Sequence, residues 1–208
     1  MSTLTVVRHA QARPFQKVSD CLSELGERQA AALGEYWKRA GVQFDEVLCG
    51  SLTRHCQTAA IALGRDPQIS PDWNEYDVDG VMRNYPPPST FPDNRAFQKV
   101  FEVAMQNWLE GSINGVEPWP AFRDRVRGAL HRLRQGPSNR NVVLFTSGGP
   151  IGVLVQTALN APEQTFLDVN WRVRNCSISE FVFSAGRLSL DSFNAVPHLT
   201  DASLRTFR

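Results

Sequence analysis

Apolar residues in this chain follow two rhythms. Short, largely unbroken runs, Leu4-Thr5-Val6-Val7, Glu46-Val47-Leu48-Cys49 and Val142-Val143-Leu144-Phe145, suit strands buried on both faces. Between them, apolar positions recur at three- and four-residue steps. Leu25, Ala30, Leu33 and Trp37 predict a helix from Ser23 to Ala40, with Ser23 capping its start and Gly41 closing it. A second helix begins at about Ser51, carries Arg54, Gln57 and Thr58, and ends near Gly64. Phe97, Val100, Phe101, Ala104 and Trp108 mark a third over Ala96 to Leu109. Phe122, Val126, Ala129, Leu130 and Leu133 mark a fourth over about Trp119 to Arg134, with its arginines expected on the solvated face. The turn Ser147-Gly148-Gly149-Pro150 leads into an apolar helix from Ile151 to about Leu159. Near the C-terminus, Ser177 to Phe183 and Leu188 to Phe193 flank Ser184-Ala185-Gly186-Arg187 and predict a hairpin at a sheet edge.

Strands alternating with helices predict an α/β fold with a mainly parallel sheet, in which ligands lie beyond the carboxyl ends of the strands. Arg8, His9, Ser147 and Gly148 fall at such ends. Between Asp77 and Pro120 the pattern loosens, and Tyr85-Pro86-Pro87-Pro88 excludes regular structure. The segment from about 78 to 118 is expected to be an insertion capping the sheet's end, suited to setting substrate choice or to a homodimer contact.

Composition narrows the function classes. A chain of 208 residues, 42% hydrophobic, suits one domain over 1–208. The net charge of +1 gives no global attraction to nucleic acid or an anionic membrane, so any anion site must be local. No apolar run reaches the roughly 20 residues that span a bilayer, and the first residues lack a signal-peptide layout, so a cytoplasmic protein is expected. The five tryptophans share no stacking spacing, which assigns them to packing. Cys21, Cys49, Cys56 and Cys176 form no C-x-x-C pair and are expected as reduced thiols. Neither a metal nor a cofactor is implied, because the four histidines sit in no cluster at ligand spacing.

The chemistry points to phosphate. Two arginines, Arg8 and Arg54, can hold phosphoryl oxygens with their planar forks without a metal. A histidine between them, His9, would be held neutral by those cations and could attack phosphorus. A partly desolvated carboxyl could then protonate the leaving oxygen, with Glu75 the leading choice and Asp77 or Asp79 its competitors. His55, next to Arg54, could face the pocket but is expected first on a helix surface, His131 is expected in solvent, and His198 is left between the pocket edge and a cap on the fold.

These segments resemble the histidine phosphatase superfamily, also called phosphoglycerate-mutase-like proteins. Val6-Val7-Arg8-His9-Ala10-Gln11 is similar to the family's R-H-G-[EQ], and Leu22 through Ala30 to its L-T-x-x-G-x-x-Q-A. Ser51 through Ala59 is similar to S-P-L-x-R-A-x-Q-T-A, Trp73 through Asp77 to its L-x-E segment, and Asn194 through Leu199 to its terminal stretch. The resemblance implies a three-layer α/β/α sandwich, phosphorylation of His9, phosphoryl binding by Arg8 and Arg54, and acid-base work by Glu75. In the family's S-H-G-G turn a second histidine contacts the phosphoryl group; here the turn is Thr146-Ser147-Gly148-Gly149, with Ser147 at the histidine's place and Ser147 and the Gly148 and Gly149 amides as substitute donors. Ala10 replaces a glycine, and an asparagine of the family's mutases has no counterpart around Phe15-Gln16. The implied activity is metal-independent hydrolysis of a small phosphorylated metabolite or a phosphoprotein. The alternatives are a mutase-like phosphotransferase and a non-catalytic phosphate sensor.

Overall fold

The computed structural model describes residues 1–13, 20–85 and 93–207, so Phe15-Gln16 and Pro86-Pro87-Pro88 lie outside the described residues. Within these bounds six strands form one sheet: β1 (Ser2–Arg8), β2 (Glu46–Cys49), β3 (Gln68–Ile69), β4 (Asn141–Thr146), β5 (Ile178–Phe183) and β6 (Leu188–Ala195). Their order is β3-β2-β4-β1-β5-β6. The first four in that order run parallel, and the β5–β6 hairpin adds antiparallel to β1. The seven described α-helices are α1 (Glu24–Ala40), α2 (Thr53–Leu63), α3 (Val78–Asn84), α4 (Asn94–Leu109), α5 (Trp119–Arg134), α6 (Gly148–Ala158) and α7 (Gln164–Asn170).

The side-chain alternation of the central strands generates three layers. Val7, Val143 and Phe145 pack on one face with Leu33 and Trp37 of α1 and Ala59 of α2. Leu4, Val6, Val142 and Leu144 face the other way, toward Phe122 and Val126 of α5 and Ile151 of α6. The resulting α/β/α sandwich is the architecture expected from the sequence. Aromatic rings dominate the second face: Tyr76 stacks on Trp108 at 4.8 Å between centroids, and Trp119 meets Phe166 at 4.5 Å. Phe101 and Trp108 of α4 belong to this same core, so the segment expected to be an insertion packs continuously with the sheet.

Helix ends follow the sequence where side chains cap them. Ser23 accepts from the Gly26 amide at 3.0 Å at the start of α1, and Gly41 closes that helix with φ of 66°. The helix after β4 starts at Gly148, three residues earlier than its apolar pattern indicates. Pro150 is compatible with that start, because amides of the first turn have no helical acceptor to lose. The edge strand β3 and the seven-residue helices α3 and α7 were absent from the sequence expectation. Each is too short to display a period, and both residues of β3 are exposed.

Arg125 and Arg127 of α5 depart from expectation, whereas Arg132 is exposed as expected. Arg125 is partly buried, forks onto Glu117 at 2.8 and 2.7 Å, and donates through Nη1 to the carbonyls of Asp72, Asn74 and Pro71 at 2.9, 3.1 and 3.2 Å. Arg127 donates to Gln156 at 2.8 Å. Arg125 therefore fastens the turn that precedes Glu75. Among the described residues no helix is long and apolar enough to cross a membrane.

Phe122 is fully buried amid Tyr76, Trp108 and Phe166. Phe122→Ala is expected to destabilise the fold by about 3–5 kcal/mol, read from the urea midpoint.

Candidate active site

Register places the site. β1 and β4 are adjacent and parallel with Arg8 opposite Thr146, so His9 and Ser147 are the next residues on neighbouring chains, side by side beyond the strand ends. The His9 amide donates to the Thr146 carbonyl at 2.7 Å, extending that pairing by one bond. On the other side of β4, β2 ends at Cys49 and leads into α2, which carries Arg54 and His55 in its first turn. A cavity of about 380 Å³ opens here, lined by Arg8, His9, Arg54 and Glu75 together with Phe101 and Trp171.

His9 is 7% exposed, and its Nδ1 lies 2.7 Å from the Ala10 carbonyl oxygen. A carbonyl only accepts, so Nδ1 carries the hydrogen and Nε2 keeps its lone pair. Arg8 donates through Nη1 to the carbonyls of Val173 and Phe207 at 2.5 and 2.8 Å. Arg54 pairs with Asp20 at 2.5 Å, while the other carboxylate oxygen of Asp20 accepts from the Thr53 amide at 2.7 Å. Glu75 follows the 3-10 turn Pro71–Trp73 and accepts from the Gly149 amide at 3.0 and 3.2 Å. Only glycine permits this approach, since a Cβ on residue 149 would stand 2.0 Å from Glu75 Oε1.

A model of the histidine phosphatase superfamily, branch 1, matches residues 4–196. The chain belongs to the histidine phosphatase superfamily. It is 28% identical over 218 residues to a protein of Erwinia tasmaniensis named probable phosphoglycerate mutase GpmB, with 98% of each chain covered. Among solved structures, a phosphoserine phosphatase mutant of Entamoeba histolytica in complex with phosphoserine superposes with a TM-score of 0.71 at 19% identity, covering 96% of this chain and 100% of that one. The α-ribazole phosphatase of Shigella flexneri gives 0.69 at 20% identity, covering 93% and 96%. At such identities the structures establish a common fold.

Within this histidine phosphatase fold, Arg8, His9, Arg54 and Glu75 come together around the cavity as expected. Asp77 does not join them as closely: its carboxylate caps α3 by accepting from the Gly80 amide at 2.8 Å and lies 3.6 Å from Arg83. Asp79 is exposed on the cavity wall. Ser147 and Gly148, expected to serve a phosphoryl oxygen, are buried at the start of α6 and do not line this cavity, and the Gly149 amide is occupied by Glu75. Among the described residues no three His, Cys, Asp or Glu side chains converge as a metal site.

His55 corrects the sequence expectation. It is 0% exposed rather than on a helix surface; its Nε2 lies 2.7 Å from Ser147 Oγ, and its ring centroid is 5.7 Å from that of His9. The helical period could not reveal this, because α2 is flanked by strand-end loops that cover its first turn. Asp20, Asn170 and Trp171 were also missed, standing in loops or a short helix without pattern. His198 is buried beside Tyr36 and does not line the cavity, while His131 is exposed.

Burial, then the guanidinium groups of Arg54 and Arg8 and the neighbouring His55, hold the His9 imidazole well below its ordinary range. Burial and Arg54 do the same to His55. Burial raises the Glu75 carboxyl above its ordinary range, outweighing the opposing pull of Arg54.

Burial also lowers His198 to about 4. The unfolded chain therefore binds more protons at these three histidines between their folded values and about 6.5, so their contribution to stability rises with pH across that window and is level above it; the raised Glu75 carboxyl opposes this. In Glu75→Gln, which removes the opposing group, the urea midpoint at pH 5 is expected to fall below that at pH 7.5, and equal midpoints in that variant would contradict the lowered histidine values.

Proposed function

We propose that the protein hydrolyses phosphomonoesters of small metabolites through a phosphohistidine at His9. The observation that carries this reading is the bond from His9 Nδ1 to the Ala10 carbonyl, which leaves a bare Nε2 lone pair beside two arginines. In the first step Nε2 attacks phosphorus and forms an N–P bond while the P–O bond to the alcohol breaks. Arg8 and Arg54 bind the phosphoryl oxygens, and protonated Glu75 gives its proton to the leaving oxygen. In the second step Glu75 takes a proton from water, the water oxygen attacks phosphorus, and inorganic phosphate leaves as His9 is regenerated. No metal is needed, because two guanidinium groups provide the positive charge.

A cavity of about 380 Å³ fits a small molecule, and the rings of Phe101 and Trp171 in its lining suit a leaving group with an apolar face. The name of the Erwinia tasmaniensis relative favours a second reading, transfer of the phosphoryl group from phospho-His9 to another hydroxyl. Phosphorus NMR of the products separates them: free inorganic phosphate supports hydrolysis and an isomeric phosphate ester supports transfer.

His9→Ala is expected to abolish phosphate release from both aryl and alkyl phosphates, and undiminished release would refute the reading. Glu75→Gln should slow release from an alkyl phosphate by about 10²–10⁴-fold. Because Glu75 must be protonated for the first step, kcat/KM should fall as pH rises through its raised pKa, and Glu75→Gln should remove that limb. Neutral His9 sets the acid limb, displaced well below the ordinary histidine range.

A further inference from the structure

All four cysteines are free thiols, and two of them meet. Cys49 ends β2 and Cys56 lies one turn into α2, with their Sγ atoms 3.6 Å apart. An S–S bond is about 2.05 Å long, so the two sulfurs need to close by only about 1.5 Å. Their surroundings differ. Cys49 is fully buried and pinned in the sheet between Phe145 of β4 and Ile69 of β3, and burial, then the adjoining Cys56 sulfur, pushes its thiol far above the ordinary range. Cys56 is only partly buried, and its Sγ lies 3.7 Å from the Gly50 carbonyl oxygen. A carbonyl only accepts, so Cys56 donates to Gly50 and the Cys49 hydrogen is directed at Cys56 Sγ. An oxidant arriving from solvent meets Cys56 first, with a second thiol directly behind it.

We infer that Cys49 and Cys56 are an oxidative modification site, at which hydrogen peroxide joins them in a disulfide that displaces Arg54 and so weakens phosphoryl binding. The disulfide stands on the geometry of the two thiols; its effect on turnover rests on the phosphatase reading above. In the first step the Cys56 sulfur attacks peroxide, an S–O bond forms as the O–O bond breaks, and the departing oxygen leaves as water with the thiol's proton. In the second step the Cys49 sulfur attacks the Cys56 sulfenic acid, the S–S bond forms as the S–O bond breaks, and the hydroxyl leaves as water with the Cys49 proton. Two thiols lose two electrons and one peroxide becomes two waters. Because Cys49 is fixed in the sheet, the start of α2 has to yield. Arg54, two residues before Cys56, is held there by its 2.5 Å bond to Asp20. Thr58, one turn on from Arg54, donates to the Arg54 carbonyl at 2.7 Å and accepts from the Ala10 amide at 3.1 Å, so a shift of this turn also reaches the backbone beside His9.

The test is peroxide treatment of the reduced protein, followed by alkylation, peptide mass spectrometry, phosphate release from an alkyl phosphate and orthovanadate affinity by calorimetry. A peptide pair linked through Cys49 and Cys56 is expected, with kcat/KM and orthovanadate affinity both lowered about ten- to hundredfold and both restored by dithiothreitol. Cys56→Ala should match the reduced wild type and keep its activity in peroxide. Cys49→Ala, as a second variant, should stop at a sulfenic acid on Cys56 that dimedone captures. No linked pair, a link through Cys21 or Cys176 instead, a linked protein with full activity, or a Cys56→Ala variant inactivated as fast as wild type would each overturn the inference while leaving His9 chemistry intact. Reduced wild type that neither turns over nor binds orthovanadate would instead sink the phosphatase reading, and the linked peptide would still decide whether the disulfide forms.

Discussion

The parallel pairing of β1 with β4 is the constraint on which the site depends. Because Arg8 lies opposite Thr146, the two strands end at one level and deliver His9 and Ser147 to the same depth. Both strands are buried on both faces by fully enclosed Val6, Val7, Leu144 and Phe145, so a shift of one residue would turn these apolar side chains to the wrong layers. The other groups are fastened to this pair from neighbouring elements. Arg54 and His55 arrive on α2 beyond β2, and Glu75 is held by the Gly149 amide from α6 and, through its preceding turn, by Arg125 from α5.

This construction gives a buried site in which neighbouring groups move in opposite directions. Burial disfavours charge on all of them, lowering His9 and His55 and raising Glu75. The outcome is a neutral imidazole next to a carboxyl that resists ionisation, with the two guanidinium groups supplying fixed positive charge. Phosphoryl transfer to nitrogen calls for that division: a lone pair that is free, a proton that is available, and cations that do not titrate. Arg54 is paired with Asp20 and Arg8 is tied to main-chain carbonyls of Val173 and Phe207, so their orientations are set without a ligand.

Much of this was legible in the sequence because long periods and unbroken apolar runs survive tertiary folding. The three central strands, the capped helix α1, and Arg8, His9, Arg54 and Glu75 were placed from pattern and motif. What escaped had no period to read. The strand β3 has two exposed residues, and α3 and α7 have seven residues each. His55 was misplaced because a helical face tells which residues lie together but not which loops will cover the helix's first turn. Charge alone does not show that three carbonyls and a carboxylate converge on Arg125, which therefore reads in the sequence as a solvated side chain. The unusual Ser147 was visible from the start; its partner was not, since 92 residues separate it from His55.

The central claim is that a covalent bond forms between His9 and phosphorus. Rapid-quench mixing with a slow phosphomonoester, stopped in alkali where phosphohistidine survives, followed by peptide mass spectrometry, tests it most directly. A phosphoryl group is expected on the peptide containing His9, appearing and decaying on the time scale of turnover. Turnover without any such adduct, or an adduct on another residue, would contradict it.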